Sequence, residues 1–365
     1  MTWLKKRIGW LMIRLRSIAR VACRLRFAWA LQCLERSALA KDRPILLIAD
    51  NYGRLANRVT RICNLISIAN QMGAVLIDAG FVEHRKSFAA FDDCALYVYP
   101  PERRSKVDWR VRLACFIIRN CHFRDQDLPK QILDCSDMLV SVDRSNQRLA
   151  FSAQEIETAI GASGCRMLIL LGLYFDADCK SRSTKDECRQ QLAPQQSLAK
   201  TIDATISQVR GEGVGDAECE VIGVHVRQGD YRWWLDGRFY FPPTVYATAM
   251  RQIQQARSNK AVKFLICSDE TLASDIFEGM DVHFSGGSPT EDLFCLSRCN
   301  LIISTFSSFA YFASFYGDRP ILDLSSLSFD QNQCMSMVPL NSKAWPRLGL
   351  PEAFNEDEAS QSNAV

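Results

Sequence analysis

The sequence predicts an α/β protein with two Rossmann-like domains, and three observations support this fold class. Short apolar runs alternate with stretches of helical periodicity, first over 44–78 and more regularly over 219–324. A strand, a helix and a second strand in succession indicate a parallel βαβ unit. The length of 365 residues, with 48% hydrophobic and 23% charged residues, is sufficient for two domains of average size.

The first domain is predicted over 41–215. Its apolar runs and helical stretches succeed one another along the chain. The predicted elements are, in order, strand 44–49, loop 51–58, a helix with Gly73 as its C-cap, strand 74–78, mixed helix and loop over 81–147, strand 166–175 and helix 194–209.

The second domain is predicted over 216–351, because the glycine-rich stretch 210–216 interrupts the apolar pattern. Residues 352–365 are polar and acidic, and we expect them to form a flexible tail. Strands are predicted at 219–226, 262–267, 282–284, 301–303 and 321–324, with helices at 243–257, 271–277, 291–297 and 307–316 between them.

The first 36 residues form a basic segment. Nine Lys and Arg residues against one Glu give it a net charge of +8, so the rest of a chain with a net charge of +3 carries −5. Apolar residues recur along it at helical spacing: Leu4, Ile8, Leu11, Leu15, Ile18, Ala22, Leu25 and Trp29. We predict a basic amphipathic helix within 1–40, too rich in arginine for a transmembrane helix or a signal peptide.

This helix suits an anionic membrane surface, and packing on the protein's own core is the alternative. Because the body is mildly acidic, nucleic-acid binding is not expected. The 15 cysteines are scattered, odd in number and without an export signal, so we interpret them as reduced thiols. Cys295 and Cys299 have no matching Cys or His cluster nearby, so no metal site is expected there.

Polar residues follow four predicted strands of the second domain. They are His225, Arg227, Gly229 and Asp230; Ser268, Asp269 and Glu270; Ser285, Gly286 and Gly287; and Ser304, Thr305 and Ser307. The carboxyl ends of parallel strands share one edge of the sheet, where ligands bind. This set fits a nucleoside diphosphate, with Arg227 gripping the pyrophosphate in a bidentate manner. Each signal alone is more typical of a helix cap or a turn.

The stretch His225-Val226-Arg227-Gln228-Gly229-Asp230-Tyr231 resembles the His-x-Arg-Arg-Gly-Asp-Tyr motif of α-1,2-fucosyltransferases and related bacterial enzymes that use GDP-fucose. Three further stretches resemble motifs of this family in order and spacing, between about residues 45 and 324. They are Gly53-Arg54-Leu55-Ala56-Asn57-Arg58, Phe264-Leu265-Ile266-Cys267-Ser268-Asp269, and Asp292-Leu293 through Ser304-Thr305-Phe306-Ser307.

The resemblance implies a GT-B architecture of two Rossmann-like domains facing a cleft, and an inverting glycosyl transfer from GDP-fucose without a metal ion or other cofactor. The first domain would then serve the acceptor and the second the GDP-sugar. By the same resemblance, Arg227 holds the β-phosphate, Asp269 the guanosine portion, and Ser304, Thr305 and Ser307 the phosphates. Gly53 and Asn57 would line the cleft, with His225 and Ser268 also in the substrate-binding set.

Two positions depart from the family pattern. Gln228 replaces the second arginine of the motif and removes a positive charge near the diphosphate, whereas Arg58 replaces a glutamine and would restore one from across the cleft. Without a metal, Arg227 would stabilise the departing GDP anion. Asp230 and Asp50 are candidates for a base that accepts the acceptor's proton, and Asp230 also fits a structural role.

Three alternatives remain at this point. Asp176-Ala177-Asp178 after an apolar run resembles the Asp-x-Asp of metal-dependent glycosyltransferases, although Gly172 to Phe175 also resembles a segment of the fucosyltransferase family. Loss of an arginine at Gln228 suggests a nucleotide-sugar or glycan-binding protein without turnover. A third alternative is transfer of another GDP-linked hexose, because residues that grip GDP do not read the sugar.

The acceptor side gives weaker signals. Trp233 and Trp234 follow the motif in an apparent loop and suit stacking on an acceptor sugar, with core packing as the alternative. We expect a cytoplasmic enzyme, peripheral on the inner membrane face, that glycosylates a lipid-linked oligosaccharide or a surface polysaccharide.

Overall fold

The computed structural model divides the chain into two compact units, which are described separately. Unit 1 comprises 1–52, 65–85 and 90–175, and unit 2 comprises 53–64, 86–89 and 176–365. The residues that the structure describes are 25–41, 43–51, 53–81, 83–91, 96–120, 132–134, 153–163, 166–171, 182–211, 213–215, 218–257 and 259–325.

Unit 1 is built on a five-stranded sheet in the order β3-β2-β1-β5-β4. Its strands are β1 Ile45–Ile48, β2 Val75–Asp78, β3 Tyr97–Tyr99, β4 Ile132–Asp134 and β5 Met167–Leu171. All neighbouring strands pair in parallel except β2 and β3, which are antiparallel. Every residue of the central strands β1, β2 and β5 is buried, as expected for a parallel sheet covered on both faces.

The described helices that begin before residue 176 are α1 over 25–35, α2 Leu55–Met72, α3 Trp109–Arg119 and α4 Ala153–Ser163. Of α2, residues 55–64 cluster with unit 2 and the remainder with unit 1. Helices α1 and α3 pack their small and aliphatic residues into one cluster with β1, β2 and β5. Gly73 follows α2 with a φ of 61°, a left-handed conformation that suits the predicted C-cap.

Unit 2 contains a fully parallel sheet in the order β10-β9-β6-β7-β8. Its strands are β6 Cys219–Val226, β7 Ala261–Ser268, β8 Val282–Phe284, β9 Leu301–Ser304 and β10 Ile321–Asp323. Its helices are α5 Arg182–Gln191, α6 Gln196–Arg210, α7 Pro243–Ala256, α8 Pro289–Arg298 and α9 Ser308–Gly317. The two sheets confirm the predicted α/β class with two Rossmann-like units, the constituents of a GT-B architecture.

The strand order of unit 2 reverses at β6. The chain passes from β6 to β7 on one side of it, whereas β9 pairs with its other side. The ends of β6 and β9 therefore flank a topological switch point, the position at which open α/β sheets bind ligands. This order brings Arg227, which follows β6, to the same edge as Thr305, which follows β9.

Several element predictions are wrong in detail. Helix α2 begins at Leu55, inside the predicted loop 51–58, because Leu55, Ala56 and Arg58 are buried from its first turn. The helix predicted over 271–277 is a single 3-10 turn, Ser274–Phe277, since it starts from extended backbone without a side-chain cap and buries only Phe277. Strands β3 and β4 lie within 81–147, where three-residue strands are too short to show a period.

Helix α1 contacts the core of unit 1 through residues outside the predicted apolar stripe. Ala30 and Leu34 are fully buried, whereas Leu25 and Trp29 are 68% and 39% exposed. Residues 1–24 lie outside the described part of the chain, as do Asp176, Asp178 and the tail 352–365. None of the described helices has the length and apolar character needed to cross a bilayer. The predicted domain boundary near residue 215 falls within unit 2, between α6 and β6, and stays a prediction.

Candidate active site at the switch point of unit 2

Arg227 is held at the end of β6 by two carboxylates. Its Nη1 lies 2.8 Å from Asp269 Oδ2, and its Nη2 donates to Asp230 Oδ1 at 2.5 Å. The guanidinium carbon lies 5.4 Å from the ring centre of Tyr231, and the side chain is only 13% exposed. These contacts fix the position of the charge at the switch point.

Hydrogen bonds from two places hold the backbone that follows Arg227. One partner is Asp269, directly after β7, and the other is Phe241, shortly before α7. Asp269 Oδ1 accepts a hydrogen bond of 2.8 Å from the Gln228 backbone N–H. Gln228 itself is buried, and its amide nitrogen donates to the Phe241 carbonyl at 2.8 Å. A Cβ on Gly229 would lie 2.6 Å from Asp269 Oδ2, so only glycine leaves room for the carboxylate. Gln228, which replaces the second arginine of the family motif, thus stabilises the conformation of this loop.

Arg54 is a site residue that the sequence analysis missed. Its Nη2 lies 3.5 Å from Asp230 Oδ2, and its side chain is 65% exposed. Arg54 directly follows Gly53 in the motif 53–58, and this position next to a predicted site residue could have identified it. Asp230 is thus in contact with two guanidinium groups, and the four side chains of this cluster, Arg54, Arg227, Asp230 and Asp269, balance in formal charge.

Arg58, the second departure from the family pattern, makes a contact within its own loop. It is 5% exposed, and its Nε donates to the Gly53 carbonyl at 3.0 Å. Gly53 has a φ of 77°, in the left-handed region, and a Cβ there would lie 2.7 Å from Asn57 Cβ. Arg58 therefore fixes the conformation of the loop that presents Arg54, with Asn57 half-buried beside it.

His225 lies beneath the strand edge. It is 6% exposed, stacks on Phe309 with ring centres 4.8 Å apart, and its Nδ1 is 3.3 Å from Ser304 Oγ. Burial, together with the smaller effect of the charge on Arg227, lowers the pKa of His225 to about 3. The imidazole is therefore neutral at physiological pH.

The hydroxyl groups predicted to bind phosphate make internal contacts. Ser304 Oγ donates to the Thr305 carbonyl at 2.9 Å, and Thr305 Oγ1 lies 3.2 Å from the Tyr246 hydroxyl. Ser307 caps α9 and accepts from the Phe309 N–H at 3.3 Å. All three of these hydroxyl-bearing residues are buried at the amino-terminal end of α9, where the helix dipole favours an anion.

Ser268 and the next strand end complete the edge. Ser268 Oγ accepts from the Glu270 N–H at 3.2 Å. Beyond β8, Ser285 Oγ donates to Asp292 on α8. Burial raises the pKa of Asp292 to about 6, and the hydrogen bond from Ser285 opposes that rise.

Stacked aromatic rings lie beside Arg227, beginning with Tyr231. Trp234 stacks with Tyr231 at 5.2 Å and with Phe306 at 6.0 Å between ring centres. Its neighbour Trp233 is 79% exposed. Trp234 therefore packs within unit 2, and of the two predicted acceptor-stacking residues Trp233 has a free ring surface.

The described residues contain no group of three His, Cys, Asp or Glu side chains that would hold a metal ion. The eight described cysteines are free thiols: Cys33, Cys63, Cys115, Cys188, Cys219, Cys267, Cys295 and Cys299. Burial raises the pKa of Cys295 to about 12, and the thiol of Cys299 also titrates above its usual range for the same reason. These two thiols are therefore protonated and act as apolar packing groups.

A family model described as glycosyl transferase family 11 matches residues 183–341. The matched segment includes the motif 225–231 and the strand ends at 268–269 and 304–307, on which the family resemblance was based. The match confirms the family resemblance for this part of the chain. No curated protein sequence matches the chain.

Several solved structures are similar to the chain. A mutant of FUT1 from Arabidopsis thaliana in complex with GDP is 11% identical, with 80% of this chain and 72% of that chain covered and a TM-score of 0.49. POFUT1 in complex with GDP-fucose is 10% identical, with coverages of 76% and 94% and a TM-score of 0.46. The fucosyltransferase NodZ from Bradyrhizobium is 16% identical, with coverages of 77% and 96% and a TM-score of 0.47.

Proposed function

We propose that this chain, a fucosyltransferase-like glycosyltransferase by its family 11 match over 183–341, transfers L-fucose from GDP-fucose to a glycan hydroxyl group. The transfer inverts the anomeric carbon and needs no metal ion. The acceptor is a glycan or a lipid-linked oligosaccharide.

The observation that carries this proposal is the fixed guanidinium of Arg227 at the switch point. Asp269 and Asp230 hold it from two sides, so its orientation is set before a ligand arrives. A preorganised cation costs no reorganisation when charge develops on a leaving group. Arg227 is thus the residue to stabilise the diphosphate as it departs.

The other strand-end residues divide between nucleotide and phosphate. The amino-terminal end of α9, with Ser304, Thr305 and Ser307, offers backbone N–H groups to the phosphates. Ser268 and Asp269 lie on the side of the guanosine, and His225 supports this edge from below through Ser304. Gly53 and Asn57 shape the loop that carries Arg54.

The reaction exchanges one bond at the anomeric carbon for another. The bond from C1 of the sugar to the diphosphate oxygen breaks, and its electron pair leaves with GDP. The acceptor oxygen forms its bond to C1 from the opposite face, which inverts the configuration, and the hydroxyl proton passes to a base. Of the two candidates, Asp230 already contacts two guanidinium groups, so its geometry favours positioning Arg227 over accepting the proton.

Metal independence is part of the proposal because Arg227 and Arg54 place positive charge at the same edge. The Asp-x-Asp alternative rests on Asp176 and Asp178, outside the described residues. Activity retained in EDTA supports the metal-free reaction, whereas activity restored only by Mn²⁺ or Mg²⁺ supports the alternative.

Calorimetric titration of GDP, GDP-fucose and GDP-mannose into wild type and Arg227→Ala tests the proposed site. We expect the variant to bind GDP at least about tenfold more weakly, because a charge-assisted, bidentate contact is lost. Arg227→Lys keeps the charge without the bidentate geometry and should fall between the two. The matched control is Arg232→Ala, since Arg232 lies in the same loop and pairs with Glu270. Equal affinity of wild type and Arg227→Ala for GDP would show that Arg227 does not bind the diphosphate and would contradict the proposal.

Two further measurements separate the alternatives. Hydrolysis of GDP-fucose or transfer from it rejects a protein that only binds nucleotide sugars. Preference for GDP-mannose over GDP-fucose in binding and turnover would show that the protein is a transferase whose donor is another GDP-linked hexose.

We also propose that the protein is cytoplasmic and peripheral on the inner membrane face, with its basic segment 1–36 in contact with the membrane. The support is the net charge of +8 in this segment and the exposure of Leu25 and Trp29 on the described part of its helix.

A further inference from the structure

Helix α3 presents an apolar stripe to solvent. Trp109, Leu113 and Phe116 are spaced by four and three residues and are 65%, 40% and 57% exposed. The opposite side of the helix packs on the core of unit 1 through Val111, Ala114, Cys115 and Ile118. A surface helix normally has one apolar face, directed to the core. A second apolar stripe on the solvent side is the signature of an interaction surface.

Arginines flank this stripe. The guanidinium of Arg110 lies 5.5 Å from the Trp109 ring centre, and that of Arg119 lies 5.7 Å from the Phe116 ring centre. Arg112 is exposed on the same side. The helix sequence contains no acidic residue. Aromatic rings beside arginine stems form an apolar surface with a cationic rim.

The acidic residues closest in sequence do not offset this rim. Asp108 precedes the helix and its carboxylate accepts from the backbone N–H groups of Arg110 and Val111 as an N-cap. Glu102 lies in the preceding 3-10 turn, Pro101–Lys106, together with three basic side chains. The local balance of charge therefore stays positive.

Helix α1 extends the surface. Leu25 and Trp29, one helical turn apart, are exposed on the side opposite Ala30 and Leu34. A groove of about 330 Å³ lies beside both helices, and Trp29, Arg36 and Arg110 contribute to its lining. Trp29 of α1 and Arg110 of α3 are thus on the same groove of unit 1, together with the N-cap residue Asp108.

We propose that the outer face of α3, together with Leu25 and Trp29 of α1, binds the surface of an anionic membrane. Trp109, Leu113 and Phe116 enter the boundary between headgroups and acyl chains, and Arg110, Arg112 and Arg119 contact lipid phosphates. The charge complementarity decides the occupant, because an apolar stripe with an arginine rim suits a wet, negatively charged interface. The site for the donor sugar is in unit 2, so this surface is independent of the proposed transfer reaction.

Sedimentation with vesicles of equal parts phosphatidylcholine and phosphatidylglycerol tests the proposal on the full-length chain. The triple variant Trp109→Gln/Leu113→Gln/Phe116→Gln should bind about tenfold more weakly than wild type, because three apolar side chains no longer enter the interface. The double variant Arg110→Gln/Arg112→Gln should lose about fivefold per arginine. With vesicles of phosphatidylcholine alone, little of the wild type or of either variant should sediment.

Matched controls lie in unit 2. Phe284→Gln removes a hydrophobic side chain that is 40% exposed, and Lys86→Gln/Lys200→Gln removes two exposed charges. Both should bind the mixed vesicles like wild type. Circular dichroism and GDP titration confirm that each variant is folded, and because GDP binds in unit 2, this readout does not depend on the membrane.

Two results overturn the proposal. Unchanged vesicle binding of the triple variant would place the membrane contact in the basic segment 1–36 alone. A triple variant that changes from dimer to monomer in light scattering, with unchanged vesicle binding, would show that a second copy of the chain covers this face.

Discussion

Arg227 and Asp269 form an ion pair across the ends of two neighbouring parallel strands, with Nη1 2.8 Å from Oδ2. The second oxygen of the same carboxylate accepts the Gln228 N–H, so one side chain fixes both the guanidinium and the backbone that carries it. The pair is mostly shielded from water, with the two side chains 13% and 20% exposed. Asp269 therefore positions the charge that the proposed reaction depends on.

Asp269→Asn should weaken GDP binding by about tenfold, because an amide cannot supply the same charge-assisted contacts to Arg227 and to the Gln228 N–H. Calorimetric titration of GDP measures this change. The control is Glu270→Gln at the next position, which removes an exposed ion pair with Arg232 and should change affinity less than about twofold. Tighter GDP binding by Asp269→Asn would instead show that this carboxylate competes with the diphosphate for Arg227.

Gly229→Ala should damage the same pair by steric means. Its Cβ would lie 2.6 Å from Asp269 Oδ2, so either the carboxylate or the loop has to move. We expect a loss of about 1 to 3 kcal/mol in the free energy of unfolding, as for other overpacked sites, together with weaker GDP binding. Urea unfolding measures the first effect. Gly215→Ala is the control, since a Cβ there has no neighbour within 4 Å and should change stability by less than about 0.5 kcal/mol.

Strands β6, β7 and β9 of unit 2 were predictable because they are mostly buried and their sequences are largely apolar runs. The observed strands Cys219–Val226 and Val282–Phe284 have the predicted bounds. Strands β9 and β10 differ from the prediction by one residue at one end, and β7 is one residue longer at each end. The order of the strands places their polar ends at one edge, so the predicted site residues after β6, β7 and β9 do lie together. Periodicity was sufficient for β6, β8 and β9 because a helix of 10 to 14 residues follows each of them before the next strand.

The contacts within the site were not predictable from local patterns. The pairing of Arg54 with Asp230 joins residues far apart in sequence, and the burial of Arg58 depends on the turn at Gly53. Gln228 looked like a lost charge, but its hydrogen bonds to the Arg227 and Phe241 carbonyls give it a structural role. Tertiary contacts of this kind decide whether a polar residue faces a ligand or supports a loop, and periodicity contains no information about them.

His225 should make the protein sensitive to acid. Its folded-state pKa is about 3 against an ordinary value of 6.5, mainly because it is buried. Below pH 6.5 the unfolded chain binds a proton that the folded chain excludes, so this contribution to stability is complete above that pH and is lost as the pH falls. Its slope is at most about 1.4 kcal/mol per pH unit.

His225→Asn keeps a polar group toward Ser304 but takes up no proton. Between pH 6 and pH 5, urea unfolding followed by tryptophan fluorescence should show wild type losing about 1 kcal/mol more than the variant. Identical losses would mean that the buried imidazole titrates normally in the folded protein.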